Sequence, residues 1–78
     1  MLLWRAVTSY QAHKRIGESI RYFRHQRGMT QEQLAEGADL HPVYISQIER
    51  ADRAVTIETL LRISKVLGVK LKDVIGDM

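Results

Sequence analysis

The sequence predicts one small all-α domain. Its 78 residues leave room for a single hydrophobic core. It has one proline and no run of alternating β-branched residues, and it is rich in helix-forming residues, which favours helices over strands. Threonine and glycine residues stand where helices would begin and end, and they divide the chain into five predicted helical segments.

The composition indicates which kinds of partner the chain prefers. Twelve basic against nine acidic residues give a net charge of +3 and a sequence pI near 9.6, a mild bias towards polyanions. Without cysteine, disulfides and thiolate metal sites are excluded, which fits a cytoplasmic protein. The apolar start is too short to span a bilayer and lacks the pattern of a signal peptide, so no membrane association is expected.

Residues 1–12 are predicted to form a short N-terminal arm ahead of a domain over residues 13–78. Its apolar residues fit a weak helical stripe or an alternating strand pattern. Three interpretations remain open: an arm that packs on the domain and shields Trp4, a dimer-forming or strand-swapped arm, and a disordered or expression-derived segment.

The first helix of the domain is predicted from about His13 to Arg27. Ile16, Ile20 and Phe23 recur at intervals of four and three residues and form one core-facing stripe. Gly28 suits the left-handed position that commonly ends a helix.

A capping box predicts the start of the second helix. Thr30 and Gln33 have the spacing at which the hydroxyl binds the N3 amide and the glutamine side chain binds the cap amide. The helix then begins at about Gln31 and should end near residues 37–39, where glycine and aspartate tolerate a left-handed backbone. Its apolar positions are Leu34, Ala35 and Ala38.

The third helix has one apolar face and one uncharged polar face. His41 is a possible N-cap, and Pro42 suits the first helical position of a segment that ends at about Arg50. At 100° per residue the core side contains Tyr44, Ile45 and Ile48, with Glu49 at its edge. The opposite side contains Pro42, Val43, Ser46, Gln47 and Arg50. Such a side is either an ordinary solvated surface or one suited to a DNA major groove.

Two further helices complete the chain. Thr56 caps a fourth helix that ends at Leu67 before Gly68, and a fifth runs from Val69 to Ile75. Apolar surface is expected from Ile57, Leu60, Leu61, Ile63, Leu67, Leu71, Val74 and Ile75. Leu71, Val74 and Ile75, on the short last helix, supply more apolar surface than one small core requires.

The segment from Gln31 to Arg50 resembles the helix-turn-helix of the phage repressor and Cro family, also called the xenobiotic-response-element type. The family pattern expects apolar or small residues where this chain has residues 34, 35, 38, 40, 45 and 48, and the chain fits it at each. The string from Tyr44 to Arg50 resembles the family's Y-I-S-x-I-E-R. The resemblance covers roughly residues 13–76. It implies a compact five-helix lambda-repressor-like DNA-binding domain, with its motif at 31–50 and its recognition helix at about 42–50.

The resemblance implies a function as well as a fold. The expected function is sequence-specific binding of double-stranded DNA by a small transcriptional regulator, a homodimer that reads a palindromic operator through the major groove. The stretch E-R-x-x-R-x-x-T-I-E-T-L is also similar to controller proteins of restriction–modification systems. The dimer interface would contain Leu71, Val74 and Ile75.

Specific roles follow from position in the motif. Gln can pair with adenine and an aliphatic side chain can touch a thymine methyl, so the base-reading candidates are Pro42, Val43, Ser46 and Gln47. The phosphate-binding candidates are Gln31, His41, Tyr44, Arg50 and Arg53, although Tyr44 is equally expected in the core. Arg24 and Glu49 are expected to form a structural ion pair.

Other functional classes fit less well. His13, His25 and His41 are scattered, and there is neither a metal-binding motif nor a glycine-rich phosphate loop, so we expect no enzyme, metal or cofactor. No small-molecule effector is expected either. The alternative that remains open is an antitoxin that binds a protein toxin and its own promoter.

Overall fold

The computed structural model describes the backbone of residues 2–76 and the side chains of residues 10–76. All regular secondary structure in this part of the chain is α-helix, and it contains no strand. The five helices are α1 (Leu2–Gln26), α2 (Gln31–Ala38), α3 (Pro42–Glu49), α4 (Ile57–Leu67) and α5 (Leu71–Ile75). The predicted all-α, five-helix fold is confirmed.

The first helix begins earlier than predicted. We expected a start near residue 13, but α1 already begins at Leu2 and runs for 25 residues, or about 37 Å at 1.5 Å per residue. Residues 2–12 are therefore helical, so a strand-forming arm is wrong. The proposed shielding of Trp4 concerns a side chain outside the described residues. The division into arm and domain stays a prediction.

The hydrophobic core lies where α1 to α5 meet. Its fully covered side chains come from every helix, and α2 and α4 are joined further by a bond of 3.5 Å from the Arg62 guanidinium to the Ala38 carbonyl. The buried apolar residues are Ile16, Ile20, Leu34, Ala35, Ala38, Ile45, Ile48, Leu60, Ile63, Leu67 and Val74. Phe23, Leu40 and Tyr44 pack against this core while remaining partly exposed.

The core includes some of the predicted apolar residues of α4 and α5 and leaves others exposed. Ile57 and Leu61 are 57% and 51% exposed, because the apolar face of α4 is wider than the surface that the core covers. Val74, by contrast, is fully buried within this chain, so its assignment to a dimer interface is wrong. It packs inside the domain and presents nothing to a partner.

Local capping chemistry fixes the helix ends. The predicted box at α2 is present: the Gln33 amide donates to Thr30 Oγ1 at 3.0 Å, and the Thr30 amide donates to Gln33 Oε1 at 2.9 Å. At α4 the Thr56 hydroxyl accepts from the Thr59 amide at 3.1 Å. Left-handed residues follow α1, α2 and α4 at Gly28, Asp39 and Gly68, with φ between 58° and 71°.

Gly17 allows α1 and α3 to cross at close range. It is buried, and a Cβ atom there would lie 2.8 Å from the Glu49 carbonyl oxygen and closer still to that of Ile48. Both obstacles are backbone atoms, which cannot rotate away. Any other residue at this position must therefore push α3 away from α1.

A buried ion pair joins the same two helices. Arg24 Nε lies 2.7 Å and Nη2 3.0 Å from the two Glu49 carboxylate oxygens, and the side chains are only 10% and 3% exposed. Arg24 Nη1 also donates to the Met29 carbonyl at 2.9 Å, and Gln31 Nε2 donates to Glu49 at 3.1 Å. The bidentate geometry and the additional bonds compensate for the loss of hydration.

Two further properties bear on function. Among the described residues, no helix is long and apolar enough to cross a membrane. The same residues hold no group of three or more histidine, aspartate or glutamate side chains arranged to bind a metal ion.

We predict that Gly17→Ala destabilises the domain although alanine is the better helix former. Overpacking should cost about 1–3 kcal/mol, and each kcal/mol lowers the Tm of a domain of this size by roughly 4–8 °C. Thermal denaturation of this variant beside Glu18→Ala, an exposed neighbour, measures the effect. Equal melting of both variants would show that the crossing tolerates a side chain.

Removing Arg24 should destabilise the fold more than it changes sequence preference. Arg24→Ala leaves Glu49 buried without its cation, which should lower the free energy of unfolding by about 3–5 kcal/mol. The Tm should therefore fall by more than about 10 °C. Arg21→Ala, at an exposed site on α1, should melt like the wild type. The double variant Arg24→Met with Glu49→Leu should recover most of the loss, because no lone charge remains. An unchanged Tm in Arg24→Ala contradicts the assignment.

Candidate nucleic-acid interface

A three-residue turn sets the position of α3 against α2. Asp39 takes a left-handed conformation with φ 58°, and the Leu40 amide then donates back to the Ala35 carbonyl at 2.8 Å. Leu40 packs against the core at this corner. The turn ends at His41, which has an extended backbone and precedes the first residue of α3.

Burial separates the two faces of α3 as the periodicity predicted. Ile45 and Ile48 are buried, whereas Val43, on the opposite side, is 55% exposed. Pro42, Ser46 and Gln47 are each partly exposed. The structure therefore places all four base-reading candidates on one helix, and no acidic residue stands among them.

The amide groups at the start of α3 are already occupied. Pro42 has no N–H, and the Val43 N–H donates to His41 Nδ1 at 3.1 Å. The amides of Tyr44 and Ile45 donate to the His41 carbonyl at 3.0 and 3.4 Å. His41 thus caps the helix, and the bond at Nδ1 places the proton of the neutral ring on Nε2.

The phosphate-binding candidates lie before, within and after α3 along the chain. Gln31 opens α2 and is partly buried, and one of its side-chain N–H groups is used by Glu49. His41 is exposed at the start of α3. In the loop after α3, the Arg53 guanidinium lies 5.3 Å from the centre of the partly buried Tyr44 ring. Arg53 itself is exposed.

Arg50 has a partner that the sequence analysis missed. Its Nε lies 3.0 Å from Asp52 Oδ2, with both side chains more than half exposed. A spacing of two residues in a loop gives little indication of such a pair. Ala51, between them, has φ 61°, a left-handed conformation that is strained for a residue other than glycine.

The comparisons with known proteins agree on one family. Residues 20–74 match a family model, HTH_3, described as helix-turn-helix. Control protein C.BamHI of Bacillus amyloliquefaciens is 45% identical over 60 residues, which cover 76% of this chain and 74% of that protein. Control protein C.SmaI of Serratia marcescens is 39% identical over 56 residues, covering 72% and 67%.

The comparison of structures gives the same result. The chain resembles the restriction-modification controller protein C.AhdI from Aeromonas hydrophila with a TM-score of 0.78 and 26% identity, covering 80% of this chain and 94% of that one. The related proteins are regulators and not enzymes, and nothing among them supports the antitoxin alternative. This chain belongs to the helix-turn-helix family and is an all-α, DNA-binding regulator of transcription.

Proposed function

We propose that this regulator controls the transcription of restriction–modification genes, as a homodimer that reads a palindromic operator through the major groove. The observation that carries the proposal is the outward face of α3, which is at least partly exposed, contains no acidic residue and is followed by the cations of Arg50 and Arg53. The similarity of the chain to the restriction-modification controller protein C.AhdI supports the assignment to restriction–modification genes. The protein would act in the cytoplasm without a small-molecule effector.

Gln47 is the main base-reading residue in this proposal. Its side-chain amide can bind the N6 and N7 edge of adenine in a bidentate manner, and the Ser46 hydroxyl can donate or accept beside it. Val43 and Pro42 supply apolar surface on the same face. Few hydrogen-bonding groups are available per recognition helix, so discrimination by one half-site should be modest.

The phosphate contacts fix the register of α3 in the groove. Arg53 is well suited to this role, since stacking on Tyr44 restricts its side chain before DNA arrives. Arg50 can exchange its exposed contact with Asp52 for a phosphate at little cost. Gln31 keeps one N–H free of Glu49 for the backbone on the other side.

The proposed dimer interface lies on α4 and α5. Ile57 and Leu61 are more than half exposed on α4, and Leu71 and Ile75 are partly exposed on α5. A surface groove between these helices is lined by Leu61, Val69 and Leu71 together with charged side chains at its rim. A second copy of the chain would cover this apolar surface, and a small domain gains stability from such burial.

Gln47→Ala and Arg53→Ala should weaken DNA binding in different ways. Gln47→Ala should lose about 1–3 kcal/mol on the preferred operator and change which bases are tolerated. Arg53→Ala should weaken binding to all sequences alike and reduce the slope of log K against log salt by about one unit. Both effects are measured by titrating a panel of operator variants at several salt concentrations.

One outcome of these titrations would contradict the division of roles between Gln47 and Arg53. If the two variants lose affinity equally across the panel, with the same salt slope, then Gln47 does not read bases. Arg21→Ala, which removes one positive charge from the exposed surface of α1, controls for the general effect of net charge.

Leu61→Glu should dissociate the dimer without unfolding the domain. Leu61 is 51% exposed, so a carboxylate there costs little in a monomer but would be buried unpaired in the interface. Sedimentation at tens of micromolar should show a dimer for the wild type and a monomer for the variant. Gln11→Glu adds the same charge at an exposed site on α1 and should leave the dimer intact. A monomeric wild type would contradict the proposal.

A further inference from the structure

The leading end of α3 presents no backbone hydrogen-bond donor. The first amide is absent because residue 42 is proline, and the next three are satisfied by the side chain and carbonyl of His41 at 3.0–3.4 Å. Helix N-termini usually offer such amides to anions or polar groups. Here the cap uses them all, so this end cannot recognise a base through its main chain.

The side chains of the first two residues of α3 also lack polar atoms. Val43 is 55% exposed, the only large apolar residue of α3 with more than half of its surface uncovered among the described side chains. Pro42, beside it, is partly exposed and also consists of hydrocarbon alone. Pro42 and Val43 therefore form a small C–H surface directed away from the core.

We propose that this surface recognises the C5-methyl group of a pyrimidine and that Val43 makes DNA binding sensitive to cytosine C5 methylation. The inference rests on the proposed function, since it requires α3 to lie in the major groove. It goes further by naming a chemical mark on the DNA to which the protein responds.

The chemistry of the major groove explains the expected preference. Thymine and 5-methylcytosine both carry a methyl group on C5 and differ at position 4, where thymine has an acceptor and cytosine a donor. A surface without polar atoms cannot distinguish the groups at position 4. At the base pair that faces Val43, T·A and 5-methylcytosine·G should therefore bind more tightly than U·A and C·G respectively.

The expected effect is about fourfold in affinity for each half-site, which corresponds to about 0.8 kcal/mol for one buried methyl group. If a dimer reads a palindrome, changing both half-sites should change the affinity about 15-fold, because the free-energy effects of well-separated positions add.

The test begins with duplexes selected from a random pool by the wild-type protein. Each thymine of a selected duplex is replaced singly by uracil, which removes only the methyl group. At the most sensitive position, T·A is then replaced by C·G and by 5-methylcytosine·G. Affinities should fall about fourfold for uracil and rise about fourfold when the cytosine is methylated.

Two variants assign the effect to its residue. In Val43→Ala the uracil effect should shrink to less than about twofold, because most of the contacting hydrocarbon is gone. Gln47→Ala, on the same face of α3, should keep the full ratio between thymine and uracil while its overall affinity changes. Far-ultraviolet circular dichroism establishes that both variants fold.

The outcomes separate this inference from the function on which it rests. The inference is overturned, while the proposed function stands, if duplexes are bound but no uracil replacement changes the affinity. It is also overturned if Val43→Ala keeps the wild-type ratio of affinities for thymine and uracil duplexes. If no duplex of any sequence is bound at low salt, the proposed function itself fails, and the inference fails with it.

Discussion

The buried contact between Arg24 and Glu49 is the interaction on which the position of the recognition helix depends. Glu49 is the last residue of α3, and its carboxylate is held by the guanidinium of α1 and by the side chain of Gln31 at the start of α2. One carboxylate therefore joins three helices. Gly17 brings the α1 and α3 backbones close enough for this contact. The outward face of α3 is thus presented by a fixed core.

The same arrangement explains how the surface of α3 can be devoted to recognition. Its inward residues, Ile45 and Ile48, are buried in the core. The amides at its start are satisfied by His41, and the carbonyls of its last turn accept from the amides of residues 50–52. Since stability is supplied from the inside, the outward side chains contribute little to folding. They are free to match a DNA sequence, which fits the variety of regulators in this family.

Local chemistry predicted much of this structure, and long-range geometry accounts for what it missed. Capping residues such as Thr30 and Thr56 bind amides only three residues further along the chain, so the sequence alone predicts these contacts. The role of Gly17 depends on carbonyl groups of α3, far along the chain, and a glycine inside a helical pattern does not reveal it. The exposure of Leu61 was missed because periodicity gives the direction of a side chain and not the extent of the core. The early start of α1 was missed because no strong breaker marks residues 2–12, where the helix simply continues.

Asp39, in the turn before α3, and Ala51, in the loop after it, both have left-handed backbones although neither is glycine, with φ of 58° and 61°. Non-glycine residues restrict the conformations of a hinge more than glycine does. Pivoting of the helix between them is therefore opposed at each end, and little ordering entropy is lost when a ligand arrives. Where the shapes of the two molecules do not match, we expect the double helix to bend, so sequences that deform easily gain an advantage even at base pairs that the protein never touches.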